Sequence, residues 1–229
     1  GGDPGPREGL EDRAGQRALQ EQPGAPSRAG HQTHKVAKER THAGEAAILA
    51  AGIFAVYAAG ACRTIYVGDS GELVAAAAIL GIPHPSGYPL YVLLGTLWIL
   101  LVPVGSVAFR MSLFSAAAAA AACGVVFWLC RRVGLQVSAA ATAALLLAFS
   151  PSFWGEANIQ RVYALNALFV AAATAVAFAW HRSREPRAVI LALFLCGLGA
   201  TNHTFMAIFA VALALFALAT APALLKDWG

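Results

Sequence analysis

Charge is scarce in this chain. Only 12% of its 229 residues are Asp, Glu, Lys or Arg, about half the share that soluble domains carry. With 59% hydrophobic residues and a positive mean hydropathy, that scarcity excludes an ordinary soluble domain, and the chain reads as an integral membrane protein. Cysteine is also sparse. Cys62, Cys123, Cys130 and Cys196 fall in apolar segments without metal-type spacing, and buried thiols behave as small hydrophobes, so neither a thiolate metal site nor a redox framework is expected. Nothing resembles a nucleic-acid-binding surface, and no internal repeat is evident. The first residues lack the charged, apolar and small-residue order of a signal peptide. The chain does not begin with Met and is expected to be part of a longer one.

The charge that is present is unevenly spread. Residues 1–45 hold seven Lys/Arg and seven Asp/Glu among many Gly, Pro, Ala and Gln. Such a tract cannot bury enough apolar surface to offset its ordering entropy, and it is expected to be a disordered cytoplasmic tail. The net charge of +4 therefore resides in residues 46–229. A crossing helix needs roughly 20 apolar residues, which gives six candidate spans: 46–67, 111–130, 135–150, 163–180, 188–201 and 204–221. The stretch 73–103 is apolar as well, but Pro83, Pro85, Gly87 and Pro89 interrupt it.

Cytoplasmic loops collect Lys and Arg. The basic sites Lys35/Lys38/Arg40, Arg131/Arg132, Arg182/Arg184/Arg187 and Lys226 lie on one side only if residues 68–109 cross the membrane an even number of times. The simplest arrangement is no crossing, with 68–109 a long first external loop carrying two membrane-surface helices. The segments 69–91, 150–161 and 201–203 then emerge together on the non-cytoplasmic face. Ionisable groups beside a span are costly to keep and mark a functional site by default.

Gly68-Asp69-Ser70-Gly71-Glu72 is the first of these groups. A helix starting at Ser70 would make Asp69 its N-cap and Glu72 its N3 residue, a capping box. A carboxylate at a membrane surface can also deprotonate an acceptor hydroxyl, or position a divalent metal or a sugar; Asp69 is the first choice for a general base. His84-Pro85-Ser86-Gly87-Tyr88-Pro89-Leu90 is a rigid turn bearing an imidazole and a phenol. His84 suits binding or proton transfer, while Tyr88 and Tyr91 suit interfacial anchoring. In the segment from Ser150 to Tyr163, Trp154 fits a substrate contact or an interfacial belt, and a substrate contact is open to Tyr88 as well. Glu156 and Arg161, five apart, are poorly placed for a helical ion pair but could line one cavity with Asn158 and Tyr163. Arg161 could hold a phosphate or snorkel to the surface. Asn202-His203 divides the last apolar stretch as a turn or as ligand contacts. Arg63 and Arg110 flank the external loop and could contact an anionic lipid head. The alanine run 116–122 reads as close helix packing.

The set GDSGE, HPSGYPLY, the FR-x-SLFSA entry to a span (Phe109 to Ala116), AFSPSFW, VYALNALF and TNH, in this order over about residues 46–210, resembles a family of multi-span membrane proteins that includes the plexin-type protein O-mannosyltransferase. That resemblance implies an all-α polytopic fold of the GT-C glycosyltransferase class, of which residues 46–229 would be the N-terminal part. It implies a sugar, mannose in that member, taken from a polyprenyl-phosphate donor outside the cytoplasm, with the catalytic acid in the first external loop. Asp69 would act as base with Glu72 supporting it. His84 and either Arg161 or Arg63 would stabilise the leaving phosphate. Partners would be the lipid-linked sugar, a protein or glycan acceptor hydroxyl and membrane lipids. Where many members carry Glu before the Val-Tyr pair, this chain has Arg161. The alanine-rich composition points to a bacterial cytoplasmic membrane with the site facing outward, the endoplasmic reticulum lumen being the eukaryotic equivalent. The rival reading is a multi-span transporter or lipid flippase, against which stands the gathering of polar groups at one face.

Overall fold

The computed structural model describes residues 28–221, and all of its regular structure there is helical. The chain divides into two compact units, Gly1–Thr41 and His42–Gly229, and the second holds every candidate site residue. In chain order the helices are α1 (Arg28–Gly60), α2 (Ser70–Ile79), α3 (Pro89–Leu101), α4 (Val107–Arg132), α5 (Val137–Ala148), α6 (Pro151–Ala157), α7 (Tyr163–Ser183), α8 (Pro186–Asn202) and α9 (Phe205–Thr220). The disorder expected over 1–45 lies outside the described residues as far as residue 27. From Arg28 onward the chain is helical instead. Ala37, Lys38, Glu39, Ala43, Glu45 and Ala46 are strong helix formers, and a helix nucleated in the apolar stretch extends at little cost through them.

Among the described residues three helices are long and apolar enough to cross a membrane: Glu39–Gly60, Val107–Arg132 and Tyr163–Ser183. A fourth arises if α5 and α6, bent by 69° at Phe149–Ser150, count as one. Length and composition thus support three or four of the expected six spans among the described residues. Pro151 cannot continue α5 and opens α6 at its first turn. The helices α8 and α9 have 17 and 16 residues, so at roughly 1.5 Å per residue each is shorter than the ~30 Å hydrocarbon core. The first span ends at Gly60, not 67, and residues 61–69 are loop. In the stretch 68–109, α2 and α3 have 10 and 13 residues, both too short to cross.

The core forms around α4. Ala116, Ala118, Ala119, Ala120 and Ala122 are buried on it, so neighbouring backbones approach closely. Gly124 sits so near α1 that an added Cβ would lie 3.0 Å from the Ala50 Cβ and 3.3 Å from the Ala46 carbonyl. Ser106 caps α4 by accepting from the Phe109 N–H at 3.2 Å. At its other end Arg131 pairs with Glu45 at 2.9 Å, a cation placed well for the helix dipole. Tyr57 donates to the Ala148 carbonyl at 2.8 Å, joining α1 to the end of α5. Thr96 donates to the Ala77 carbonyl, and Gly95 leaves room for Met111, which fixes α2 and α3 against α4.

Candidate functional site

The loop after α1 has no regular structure of its own, and buried side chains from other elements hold it. Gln160, fully buried just before α7, donates through Nε2 to the Thr64 carbonyl at 3.0 Å, the Ala108 carbonyl at 3.2 Å and Ser112 Oγ at 2.6 Å. Its Oε1 accepts from the Tyr66 N–H at 3.1 Å. Ser112 donates to the Cys62 carbonyl, Ser70 donates to the Gln160 carbonyl, and the Cys62 N–H bonds the Asn158 carbonyl. Loop backbone groups that no helix can satisfy are thus paired by side chains.

This strap sets Asp69 beside Arg161. Asp69 Oδ2 accepts from Arg161 Nη1 at 3.2 Å, and Nη2 donates to the Val67 carbonyl at 3.0 Å. Gly68 adopts φ +77°, and a Cβ there would stand 2.6 Å from Nη2, so the guanidinium depends on glycine at this position. The expected capping box does not form. Asp69 precedes α2 but its side chain makes no cap bond, because its carboxylate is turned to Arg161 and Glu72 is turned to His84. With Asp69's side chain about half exposed (51%), the pair contributes at most ~1 kcal/mol to stability. Its significance is positional: an accessible carboxylate beside a well-held cation.

Glu72 accepts from the His84 backbone N–H at 2.6 Å, and its other oxygen meets His84 Nδ1 at 2.7 Å. His84 Nε2 lies 3.0 Å from the Tyr88 hydroxyl. If Nδ1 carries the proton for Glu72, Nε2 accepts from Tyr88, so one carboxylate sets the tautomer of the whole relay. Glu72 therefore bonds His84, not Asp69. The His84 hydrogen bonds hold the Glu72 carboxyl below the usual glutamate range. Because the folded value is depressed, the contribution is present at neutral pH and is lost only as pH falls through that lowered value. The difference in unfolding midpoint between the native protein and Glu72→Gln should persist below the ordinary glutamate value of 4.5 and close in stronger acid. A difference that vanishes already at the ordinary value would mean that His84 does not hold the carboxylate.

Aromatic rings join the two charged groups to the end of α8. Tyr88 stacks on His203 at 6.0 Å, Tyr163 meets His203 at 5.3 Å, and Phe205 lies 4.8 Å from it. Partial burial pushes the Tyr88 phenol up, with Tyr163, Asp69 and Glu72 adding to it. Burial also pushes the His203 imidazole down. Both groups are therefore neutral near pH 7. Asn202, fully buried, donates to the Val162 carbonyl at 3.2 Å and ties α8 to the start of α7.

The structure thus brings together Asp69, Arg161, Glu72, His84, Tyr88, Tyr163 and His203, with Asn202 behind them. Arg63 lies over the Phe109 ring at 4.8 Å, and no hydrogen bond or ion pair joins it to the acids among the described residues. Arg110 bonds the Ile99 and Gly105 carbonyls, a cap on the end of α3. Trp154 packs on Tyr57 and Phe149, and Asn158 donates back to the Trp154 carbonyl. Glu156 buries Oε2 without a hydrogen-bond partner among the described residues. No three of His, Cys, Asp and Glu gather as a metal site among the described residues; a divalent cation would find Asp69 and Glu72 already engaged. Sequence reasoning assigned no role to Gln160 or Phe205, and named Gly68 only as part of its motif. The available signal for Gln160 was an uncharged polar residue at the entry to an apolar span.

Residues 69–224 match the family model for the protein O-mannosyl-transferase TMEM260 N-terminal domain. The match begins at Asp69. The mouse (Mus musculus) protein O-mannosyl-transferase TMEM260 is 37% identical over 161 residues, covering 68% of this chain and 23% of that protein. The Dictyostelium discoideum protein of the same name is 29% identical over 160 residues, covering 62% of this chain and 19% of its own. The chain spans less than a quarter of the length of these relatives. Both are eukaryotic and lend no support to the bacterial placement that the alanine content favoured. No solved structure matches. Since the matched segment makes up more than half of the chain, the chain belongs to the protein O-mannosyl-transferase TMEM260 N-terminal domain family.

Proposed function

We propose that this chain is the donor-side part of a membrane glycosyltransferase that moves mannose from a polyprenyl-phosphate carrier to a protein hydroxyl on the non-cytoplasmic face. The observation that carries the reading is the Asp69–Arg161 contact, a carboxylate and a guanidinium brought together from 92 residues apart at one end of the helices. Asp69 takes the acceptor's proton, and the acceptor oxygen bonds to the anomeric carbon. The bond from that carbon to phosphate breaks, and its electron pair stays on the phosphate. Arg161 stands where a planar, permanently charged donor stabilises the developing phosphate charge. Glu72 fixes His84, which in turn positions the Tyr88 hydroxyl at the site's edge.

The short helices α2 and α3 suit a membrane-surface placement. Names of the relatives support mannose and a protein acceptor; the carrier and the face follow from the GT-C resemblance and the charge parity. The transporter reading is disfavoured by the gathering of charged residues at one helix end and not at mid-depth. Membranes carrying the full-length protein should transfer labelled mannose from polyprenyl-phosphate mannose to a protein acceptor. Movement of the intact lipid across the bilayer without any transfer would replace the enzyme with the transporter.

A further inference from the structure

At the opposite end of α7 from Asp69 lies a second feature that the transfer reading does not use. A cavity of about 500 Å³ opens between α7, α8 and α9, lined by Trp180, Val189, Ala192, Cys196, Leu213 and Ala217 among others. Its size falls in the ~300–1,000 Å³ range of ligand sites. Small side chains at Ala192, Cys196 and Ala217 leave the space, and the walls are almost wholly apolar, so the occupant's buried part must be hydrocarbon. At roughly 1.5 Å per residue, α7 carries Trp180 about 25 Å from Tyr163. A carrier lipid whose phosphate sits at Arg161 cannot place that same phosphate here.

Trp180 and Val189 line the cavity, and the turn between them carries Arg184 and Arg187. Arg184, just past the end of α7, lies over the ring of Trp180 at 5.1 Å, and Trp180 itself lines the cavity. Arg187 is exposed in the first turn of α8. Arg182 donates to the Arg132 carbonyl. The acid of this turn is Glu185, and no carboxylate forms an ion pair with Arg184 or Arg187 among the described residues. His181, against Phe216 of α9, has a buried Nδ1 without a hydrogen-bond partner among the described residues. An apolar cleft beside a turn that carries two guanidiniums suits an acyl chain ending in an anionic phosphate headgroup.

We propose that this cleft binds one acyl chain of an anionic phospholipid, with the headgroup phosphate on Arg184 and Arg187, at the membrane face opposite the Asp69 site. The full-length protein is reconstituted in nanodiscs of phosphatidylcholine alone or with about a fifth phosphatidylserine, and the lipid retained after detergent exchange is counted by native mass spectrometry. Native protein should keep one phosphatidylserine in preference to phosphatidylcholine. The double change Arg184→Gln, Arg187→Gln should lower that retention by about tenfold or more, while Arg184→Lys, Arg187→Lys keeps most of it. Filling the cleft with Ala192→Phe should remove the retained lipid, and the exposed arginine variants provide the test should that filling disturb folding. Equal retention of both lipids, or retention indifferent to the arginines, overturns the proposal. So does retention unchanged by a folded Ala192→Phe, since the cleft would then be filled by something else, such as a later segment of the full-length chain.

Discussion

Asp69→Asn is expected to lower sugar transfer by the full-length protein by about 10²- to 10⁴-fold, the usual contribution of a positioned general base, with protein abundance unchanged. The amide is isosteric and can still accept from Arg161, so the loop geometry survives. What it cannot do is take a proton. Abundance should hold because the Asp69 side chain makes no cap bond to α2; removing its charge forfeits the half-exposed ion pair with Arg161, at most ~1 kcal/mol, and an attraction to the helix N-terminus worth about 0.3–1 kcal/mol. Asp69→Glu should recover part of the rate at best, since one added methylene moves the base relative to the acceptor and a displacement of about 1 Å can cost ~10²-fold. Comparison with Glu72→Gln separates the two acids. If Glu72 acts through His84 and Tyr88, its loss should alter the rate and its pH profile without abolishing transfer. Native rates in Asp69→Asn would reduce Asp69 to a charge at the start of a helix and shift the search for the base to Glu72.

Much of this arrangement was legible in the sequence because it rests on rules that act along the chain. Charge parity, read from Lys35/Lys38/Arg40, Arg131/Arg132, Arg182/Arg184/Arg187 and Lys226, predicted that the segments around Asp69, Arg161 and His203 share one end, and side-chain contacts do join those segments. Prolines and the Asn202-His203 pair marked real breaks. The capping box failed because spacing reports which bonds are available and not which competitor wins: Arg161 and His84, 92 and 12 residues from their partners, outcompete the local backbone. The count of six spans was less legible because α8 and α9 are apolar throughout yet only 17 and 16 residues long, so hydropathy and length point different ways. Glu156 and Trp154 look equally functional in sequence, yet Trp154 belongs to the packing around Tyr57. Their roles depend on which way a short, bent helix faces, and a seven-residue helix gives too little periodicity to tell.

The least conspicuous residue of the site should have the largest effect on its architecture. Gln160→Leu preserves side-chain volume but removes a carboxamide that serves Thr64, Tyr66, Ala108 and Ser112. Ala108 sits in α4, Ser112 retains its bond to the Cys62 carbonyl, and the Thr64 carbonyl keeps only the weak Cys62 thiol donor at 3.1 Å, so the group left without a partner is the Tyr66 N–H. Thr64 and Tyr66 lie in an exposed stretch of loop, where water replaces part of what is lost, so a destabilisation of only about 1–2 kcal/mol is expected. Ser70→Ala, which removes a single bond to the Gln160 carbonyl, should cost only about 1 kcal/mol. The consequence for function follows from connectivity. Residues 61–69 are loop, and Asp69 is their last member, so releasing Tyr66 and Thr64 frees the carboxylate that Arg161 must meet. Gln160→Leu should therefore lose transfer and stability together, with faster amide hydrogen exchange over residues 62–69, whereas Asp69→Asn loses transfer alone. Unchanged exchange in Gln160→Leu would mean that the Cys62–Asn158 backbone bond and the Arg161 contact to Val67 suffice to hold the loop. In that case the buried carboxamide would contribute only packing.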